Sequence, residues 1–152
     1  MSLPPGARIG ILGGGQLGRM SAMAAARLGY RPHVFAPEAD GPGMQVAAER
    51  SVAAYEDAEA LAAFAAAVDV VTFEFENVPA ATLSVLAPLV RCRPGAEVLA
   101  TCQDRLAEKA FLRRAGVPVA AFAAVTAEAD LPAALAVTGL PAVLKTTRLG
   151  YD

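Results

Sequence analysis

Arg8-Ile-Gly-Ile-Leu-Gly-Gly-Gly-Gln-Leu-Gly-Arg-Met20 is the stretch that decides the fold. Its first half is a short apolar run, Arg8 to Leu12, that stops at glycines, the pattern of a buried strand. Its second half opens a segment, Gln16 to Leu28, in which Leu17, Met20, Ala24 and Leu28 recur at helical spacing, with Arg19 and Arg27 elsewhere on the wheel. That spacing predicts an amphipathic helix whose apolar stripe is those four residues. Gly29 stands where a C-terminal cap belongs, and His33-Val-Phe-Ala36 reads as a second strand. Strand, glycine turn, helix and strand together span the roughly 30 residues of a βαβ crossover.

The alternation continues along the chain. Pro37 to Gln45 is a Gly/Pro-rich loop, and Ala47 to Ala54 reads as a third strand. Asp57 is positioned to cap a helix running to Val68, with Leu61, Phe64 and Val68 on one face. A fourth strand is expected over Asp69 to Phe75, a helix opening at Pro79 with Leu83, Leu86 and Val90, and a fifth strand over Val90 to Arg93. Strands alternating with helices imply an α/β fold with a parallel, doubly wound sheet. Beyond residue 100 the expected order is a helix from Arg105 to Ala115 capped by Asp104, a strand over Ala120 to Val125, a short helix over Leu131 to Thr138 ended by Gly139, and a strand over Ala142 to Lys145. A boundary at residues 100 to 103 divides the chain into 1–102 and 103–152. The second piece is too short to close its own core, and residues 118 to 152 are expected to leave an apolar sheet face uncovered.

Bulk properties narrow the function. The chain has 152 residues, of which 55% are hydrophobic, and a net charge of −2. Scattered Lys and Arg at that charge argue against a nucleic-acid surface built on bulk charge. The longest charge-free runs are 14 residues, Asn77 to Val90 and Leu131 to Leu144, each with two prolines. A spanning helix needs roughly 20 apolar residues, and the N-terminus has no signal-peptide architecture, so a soluble cytoplasmic protein is expected. Cys92 and Cys102, with His33 as the lone histidine, offer no zinc spacing, and two free thiols are the simpler expectation.

Five sites carry chemistry. Gly13-Gly-Gly-Gln-Leu-Gly18 satisfies GxGxxG between a strand and a helix, where unpaired N–H groups and the helix dipole favour an anion. The alternative is a tight turn for close helix–sheet packing, and the motif alone does not choose NAD over a phosphorylated or ribosyl ligand. Glu38 follows Gly18 by twenty residues, the place of a ribose-binding acid in a dinucleotide enzyme, but its neighbours read as a turn with a solvated acid. Phe73-Glu-Phe-Glu-Asn77 puts two carboxylates at a strand's carboxyl end, where ligands sit in open α/β sheets; if the strand runs through them, both face one side. They either accept hydrogen bonds from sugar hydroxyls or an amine, or one caps the next helix and the other is exposed. Arg105 either reaches a phosphate or pairs with Glu108 at i+3. Lys145, leaving an apolar strand for a loop at Gly150, either grips a phosphate or is an ordinary strand-end lysine.

Ile11-Leu-Gly-Gly-Gly-Gln-Leu-Gly-Arg-Met20, Thr72-Phe-Glu-Phe-Glu-Asn-Val78, Gln103-Asp-Arg-Leu-Ala-Glu-Lys109 and Leu144-Lys-Thr-Thr-Arg-Leu-Gly-Tyr-Asp152 together resemble the 5-(carboxyamino)imidazole ribonucleotide synthetases of the ATP-grasp superfamily. The resemblance runs in order from residue 8 to residue 152. It implies a Rossmann-like (pre-ATP-grasp) domain over 1–102, then a linker helix and the beginning of an ATP-grasp domain over 103–152. It also implies ATP-dependent carboxylation of aminoimidazole ribonucleotide with bicarbonate, in purine biosynthesis, by a homodimer using magnesium.

By motif, Gly15, Gln16 and Leu17 would touch the ribonucleotide, with Tyr151. Glu76, and second Glu74, would hold its ribose. Arg105, Lys145, Gly150, Tyr151 and Asp152 would serve ATP, Asp152 also placing the reacting groups. Magnesium-binding acids are expected outside this chain, and a chain ending at Asp152 is expected to lack ATPase activity. The rival expectations are an NAD(P)-dependent oxidoreductase domain, resting on GxGxxG and Glu38, and a non-catalytic nucleotide-binding module.

Overall fold

Apolar side chains on the first two strands alternate in direction, and that alternation sorts the helices. In the computed structural model, which describes residues 2–149, β1 (Arg8–Leu12) sends Ile11 to one face of the sheet and Leu12 to the other. The second strand, β2 (Arg31–Ala36), does the same with Val34 and Ala36 against Phe35. Ile11, Val34, Ala36 and Met44 pack with Ala22 of helix α1 (Gln16–Arg27). Leu12 and Phe35 join Leu61, Phe64 and Ala65 of α2 (Ala58–Ala66) and Leu83 and Leu86 of α3 (Ala80–Leu86). With β3 (Glu49–Val52) and β4 (Val70–Phe73), the strands form one parallel sheet in the order β3-β2-β1-β4. Helices on both faces make it the doubly wound α/β fold that the alternation predicts.

The order reverses direction at β1: the chain steps to β2 and β3 on one side, then crosses to β4 on the other. The carboxyl ends of β1 and β4 therefore border the switch point at which open α/β sheets hold their ligands.

This fold occupies the first of two compact units, residues 1–100; the second is 101–152. A helix missed by the sequence analysis, α4 (Ala96–Cys102), runs across the division. In the second unit Asp104 caps α5 (Arg105–Arg114) by accepting from Leu106 N and Ala107 N at 2.9 and 3.0 Å. A 3-10 turn, Glu128–Asp130, precedes α6 (Leu131–Thr138), which Gly139 ends at φ 72°. The Asp130 carboxylate accepts from Thr126 N, the Thr126 hydroxyl and Ala127 N, and these bonds hold its carboxyl below the usual range. No described helix is long and apolar enough to cross a membrane. Cys92 is buried and Cys102 exposed, both as free thiols.

Several expectations are corrected. The apolar stripe of α1 faces outward: Leu17, Met20 and Leu28 are exposed, whereas Gly18, Ala22 and Ala25 are buried. The helix lies so close to the sheet that only small residues fit beneath it. An added Cβ on Gly18 would collide with the Gly13 carbonyl oxygen. The third strand is Glu49–Val52, and β4 stops at Phe73, with Glu76 and Asn77 in a turn. The fifth strand is a single parallel bridge, Val71 to Cys92, made by Val71 N to Arg91 O and Arg93 N to Val71 O, both 2.8 Å. Residues 120–125 and 142–145 form no strand. A strand needs a ladder partner for its backbone groups, and Val143 and Leu144 stand exposed without one.

His33 is buried on β2, edge-on to Phe64 at 4.9 Å, with Nε2 2.9 Å from Ser51 Oγ. Glu49 lies 3.7 Å from its Nδ1, and also bridges Arg8 and Arg31, which face each other across β1 and β2. Desolvation nonetheless pulls the imidazole below its ordinary value of 6.5, ahead of the opposing pull of Glu49.

Two predictions follow from this packing. Gly18→Ala destabilises the first unit by about 1–3 kcal/mol through overpacking, although the same change in an open helix gains up to ~1 kcal/mol. Urea unfolding measures it, and a neutral result would mean that α1 can slide off the turn. Because His33 is the only histidine, its imidazole C–H resonance needs no assignment. Its NMR titration midpoint falls below 6.5, so the stability that rests on the neutral ring is complete above about pH 6.5 and is lost as pH falls through the lowered value. A midpoint above 6.5 would show Glu49 outweighing burial.

Candidate functional site

The residues just past the carboxyl ends of all four strands enclose one cavity of about 310 Å³. Gly13 to Leu17 come from the turn after β1, Glu38 follows β2, Tyr55 follows β3, and Glu74 and Phe75 follow β4. Of the expected substrate-binding residues, Gly15, Gln16, Leu17 and Glu74 are brought together here. Glu76 is not among the lining residues: once β4 ends at Phe73 the pleat no longer governs Glu74 and Glu76, and they need not share a side.

The glycine turn is built around Glu74. Gly15 N donates to its Oε1 at 3.2 Å. A Cβ on Gly13 would lie 2.6 Å from that oxygen, on Gly15 3.3 Å and on Gly18 3.2 Å, so the three glycines of GxGxxG surround one carboxylate oxygen. Gly13, at φ 120°, holds a backbone shape that other residues rarely adopt. Its N–H donates to Phe35 O at 3.0 Å, and Glu74 N donates to Leu12 O at 3.1 Å, so both segments leave the sheet in register. The outer side of the turn is covered by the loop after β2. Gly43 N donates to Gly14 O at 2.8 Å, and Arg19 reaches Pro42 O at 3.3 Å and Gln45 Oε1 at 3.0 Å.

Tyr55 forms the opposite wall and was missed in the sequence, where the third strand was expected to end at Ala54. Its carbonyl accepts from the buried Thr82 hydroxyl at 2.8 Å. Its ring stacks on Phe75 with centroids 6.5 Å apart and planes 25° from parallel. Burial first, then the charges of Glu38 and Glu74, push its phenol up to about 12. It therefore stays protonated at neutral pH and is available as a donor. Glu38 is exposed, as its turn-like neighbours imply, yet it lines the cavity. An aromatic immediately past a strand end was the available signal for Tyr55.

Within the second unit a cavity of about 390 Å³ is lined by Arg105 and Lys109 of α5, by Phe122 and its neighbours, and by Val143 to Thr147 with Lys145 among them. The expected ATP-binding pair, Arg105 and Lys145, thus borders one space. Arg105 N donates to Thr147 O at 2.9 Å, which ties the start of α5 to the segment carrying Lys145. Lys109 and Arg113 both lie over the Phe122 ring, at 5.5 and 4.3 Å from its centroid. Gly150, Tyr151 and Asp152 lie outside the described residues. No group of three or more His, Cys, Asp or Glu that could hold a metal occurs among the described residues.

Known proteins share this fold and much of this sequence. An N5-carboxyaminoimidazole ribonucleotide synthase of Brucella melitensis is 50% identical over 151 residues, covering 99% of this chain and 42% of the relative. A crystal structure of an ADP complex of purK, N5-carboxyaminoimidazole ribonucleotide synthetase, superposes with a TM-score of 0.92 at 43% identity, over 99% of this chain and 40% of the other. The Aspergillus clavatus N5-carboxyaminoimidazole synthase, solved with ADP and 5-aminoimidazole ribonucleotide, gives a TM-score of 0.80 at 30% identity, over 95% and 39%. The chain thus spans about two fifths of the length of these proteins. The family model of the ribonucleotide synthetase preATP-grasp domain matches residues 7–103, and this chain belongs to that family.

Proposed function

We propose that this chain supplies the substrate-binding portion of an ATP-dependent carbon–nitrogen ligase that carboxylates 5-aminoimidazole ribonucleotide. The observation that carries the proposal is the cavity at the switch point, whose glycine turn faces two carboxylates and a protonated phenol. Such a lining accepts hydrogen bonds from a sugar diol or an amine. The Aspergillus relative was solved with that ribonucleotide and ADP.

In the proposed reaction a bicarbonate oxygen attacks the γ-phosphorus of ATP, the bond to the β-phosphate oxygen breaks, and ADP leaves. The exocyclic amine of the ribonucleotide then attacks the carboxyl carbon of carboxyphosphate. Phosphate departs with the C–O bond pair, and the nitrogen loses a proton to give the carbamate. Gly15, Gln16 and Leu17 position the ribonucleotide, while Glu74 and Glu76 hold its ribose. Arg105 and Lys145 contact ATP, with Gly150, Tyr151 and Asp152 completing the loop over the phosphates and Tyr151 also touching the ribonucleotide. Magnesium, when bound, would offset phosphate charge. Catalysis rests on positioning and on keeping water from the short-lived intermediate. Residues 1–102 act as the preATP-grasp domain and 103–152 as the linker helix and start of the ATP-grasp domain, within a cytoplasmic homodimer.

The test is ADP release by the product of the entire reading frame, with magnesium and bicarbonate. Strong stimulation by aminoimidazole ribonucleotide is expected. ATP binding without stimulation would assign a different acceptor, and neither binding nor stimulation would sink the ligase reading. In the same protein, Lys145→Ala raises the KM for ATP about tenfold, the scale of one charge-assisted contact, and leaves the ribonucleotide KM unchanged.

A further inference from the structure

Aromatic side chains of the first unit form a continuous file from its core to its cavity. The file starts at buried His33, edge-on to Phe64 with centroids 4.9 Å apart and planes at 83°. Phe64 meets Phe35 at 5.2 Å and 58°, Phe35 meets Tyr55 at 6.0 Å and 33°, and Tyr55 meets Phe75 at 6.5 Å and 25°. The rings thus pass from edge-on in the core to nearly parallel at the cavity, whose wall the last two line. Burial falls in the same direction: Phe64 and Phe35 are closed off from solvent, whereas Phe75 is 43% exposed. Edge-on contacts cover ring faces, while an offset, nearly parallel pair leaves flat surface for a further ring. Backbone bonds fix the segment that carries Phe75: Glu74 N donates to Leu12 O at 3.1 Å, and Val78 N donates to Phe75 O at 3.3 Å. Its neighbour Tyr55 is fixed by the Thr82 hydroxyl, which donates to the Tyr55 carbonyl at 2.8 Å.

We propose that Phe75, braced by Tyr55, is the seat of a flat heteroaromatic ring, and that the base of the ligand completes the file. The proposal deepens the reading of this cavity as a ribonucleotide site and rests on it. It gives a partner to the ring of the ligand, where the glycine turn and the acids serve its sugar. A sugar phosphate without a ring has nothing to lay on Phe75, so the site separates a ribonucleotide from ribose 5-phosphate through the ring. Phe75 is thus a positioning and specificity residue: it holds the ring flat, and with it the direction of any amine the ring carries.

The test is equilibrium binding of 5-aminoimidazole ribonucleotide and of ribose 5-phosphate, by calorimetry, to the product of the entire reading frame without ATP or bicarbonate. The unaltered protein binds the ribonucleotide more tightly than the sugar phosphate. Phe75→Leu keeps an apolar side chain and removes the ring face. It weakens the ribonucleotide by roughly tenfold, within the scale of one base–aromatic stack, and leaves ribose 5-phosphate unchanged. Phe75→Trp keeps the preference, and so does Tyr55→Phe, which retains the brace. A Phe75→Leu protein with the preference intact, or one that weakens both ligands equally, would overturn the proposal. Loss of the preference in Tyr55→Phe would also overturn it, by placing the selectivity in the hydroxyl. Each of these failures leaves the ligase reading standing. No binding of the ribonucleotide by the unaltered protein would remove that reading and this inference together.

Discussion

The structure of the first unit depends on one close approach: the start of α1 rests on the glycine turn with no room for a Cβ between Gly18 and the Gly13 carbonyl. From that seating follow the small buried face of α1, the outward turn of its Leu and Met residues, and the position of Gly15 N over the end of β4. A helix held this near a sheet buries little apolar area per residue, since Ala22 and Ala25 contribute far less than leucines would. The larger core is accordingly on the other face, where Phe35, Phe64, Leu61, Leu83 and Leu86 pack together. The α1 face is specialised for placing backbone donors, and the α2–α3 face for holding the sheet together.

Features of the sequence that act locally were legible. A capping aspartate works within four residues, so Asp57 and Asp104 announce their helices, and each accepts the expected backbone N–H groups. Gly139 ends its helix by adopting a positive φ that other residues resist. Features that depend on distant partners were not. Period alone assigns Leu17, Met20 and Leu28 to one side of α1 but cannot say that the core side is the one with glycine and alanine. Likewise Ala120 to Val125 and Ala142 to Lys145 have strand composition, but a ladder needs neighbours, and none is supplied among the described residues.

The site divides along the same line. Gln16 and Glu74 were identifiable because a glycine turn and a strand-end acid each have a local signature. Their meeting at Gly15 was not, since 59 residues separate donor and acceptor. Tyr55 escaped because its role comes from what surrounds it: Thr82 holding its carbonyl, Phe75 against its ring, and burial, followed by two carboxylates, raising its phenol. The family resemblance implies that the ribonucleotide meets this turn; the packing shows the Gly15 N–H of the turn already engaged by a carboxylate of the same chain.

The two cavities, each taken within its own unit, carry opposite polarity. The lining of the first has Glu38 and Glu74 and no lysine or arginine among its described residues, whereas that of the second has Arg105, Lys109 and Lys145 and no acid among its described residues. Coulomb energies at an effective dielectric near 20 are about 4 kcal/mol per unit charge pair at 4 Å, ample for each cavity, within its own unit, to favour one kind of group over the other. A glycine turn met alone attracts phosphate through its free N–H groups. Here Glu74, just past β4, accepts from Gly15 N and occupies that place at the turn, so one carboxylate changes what a fold shared with dinucleotide-binding proteins presents to a ligand.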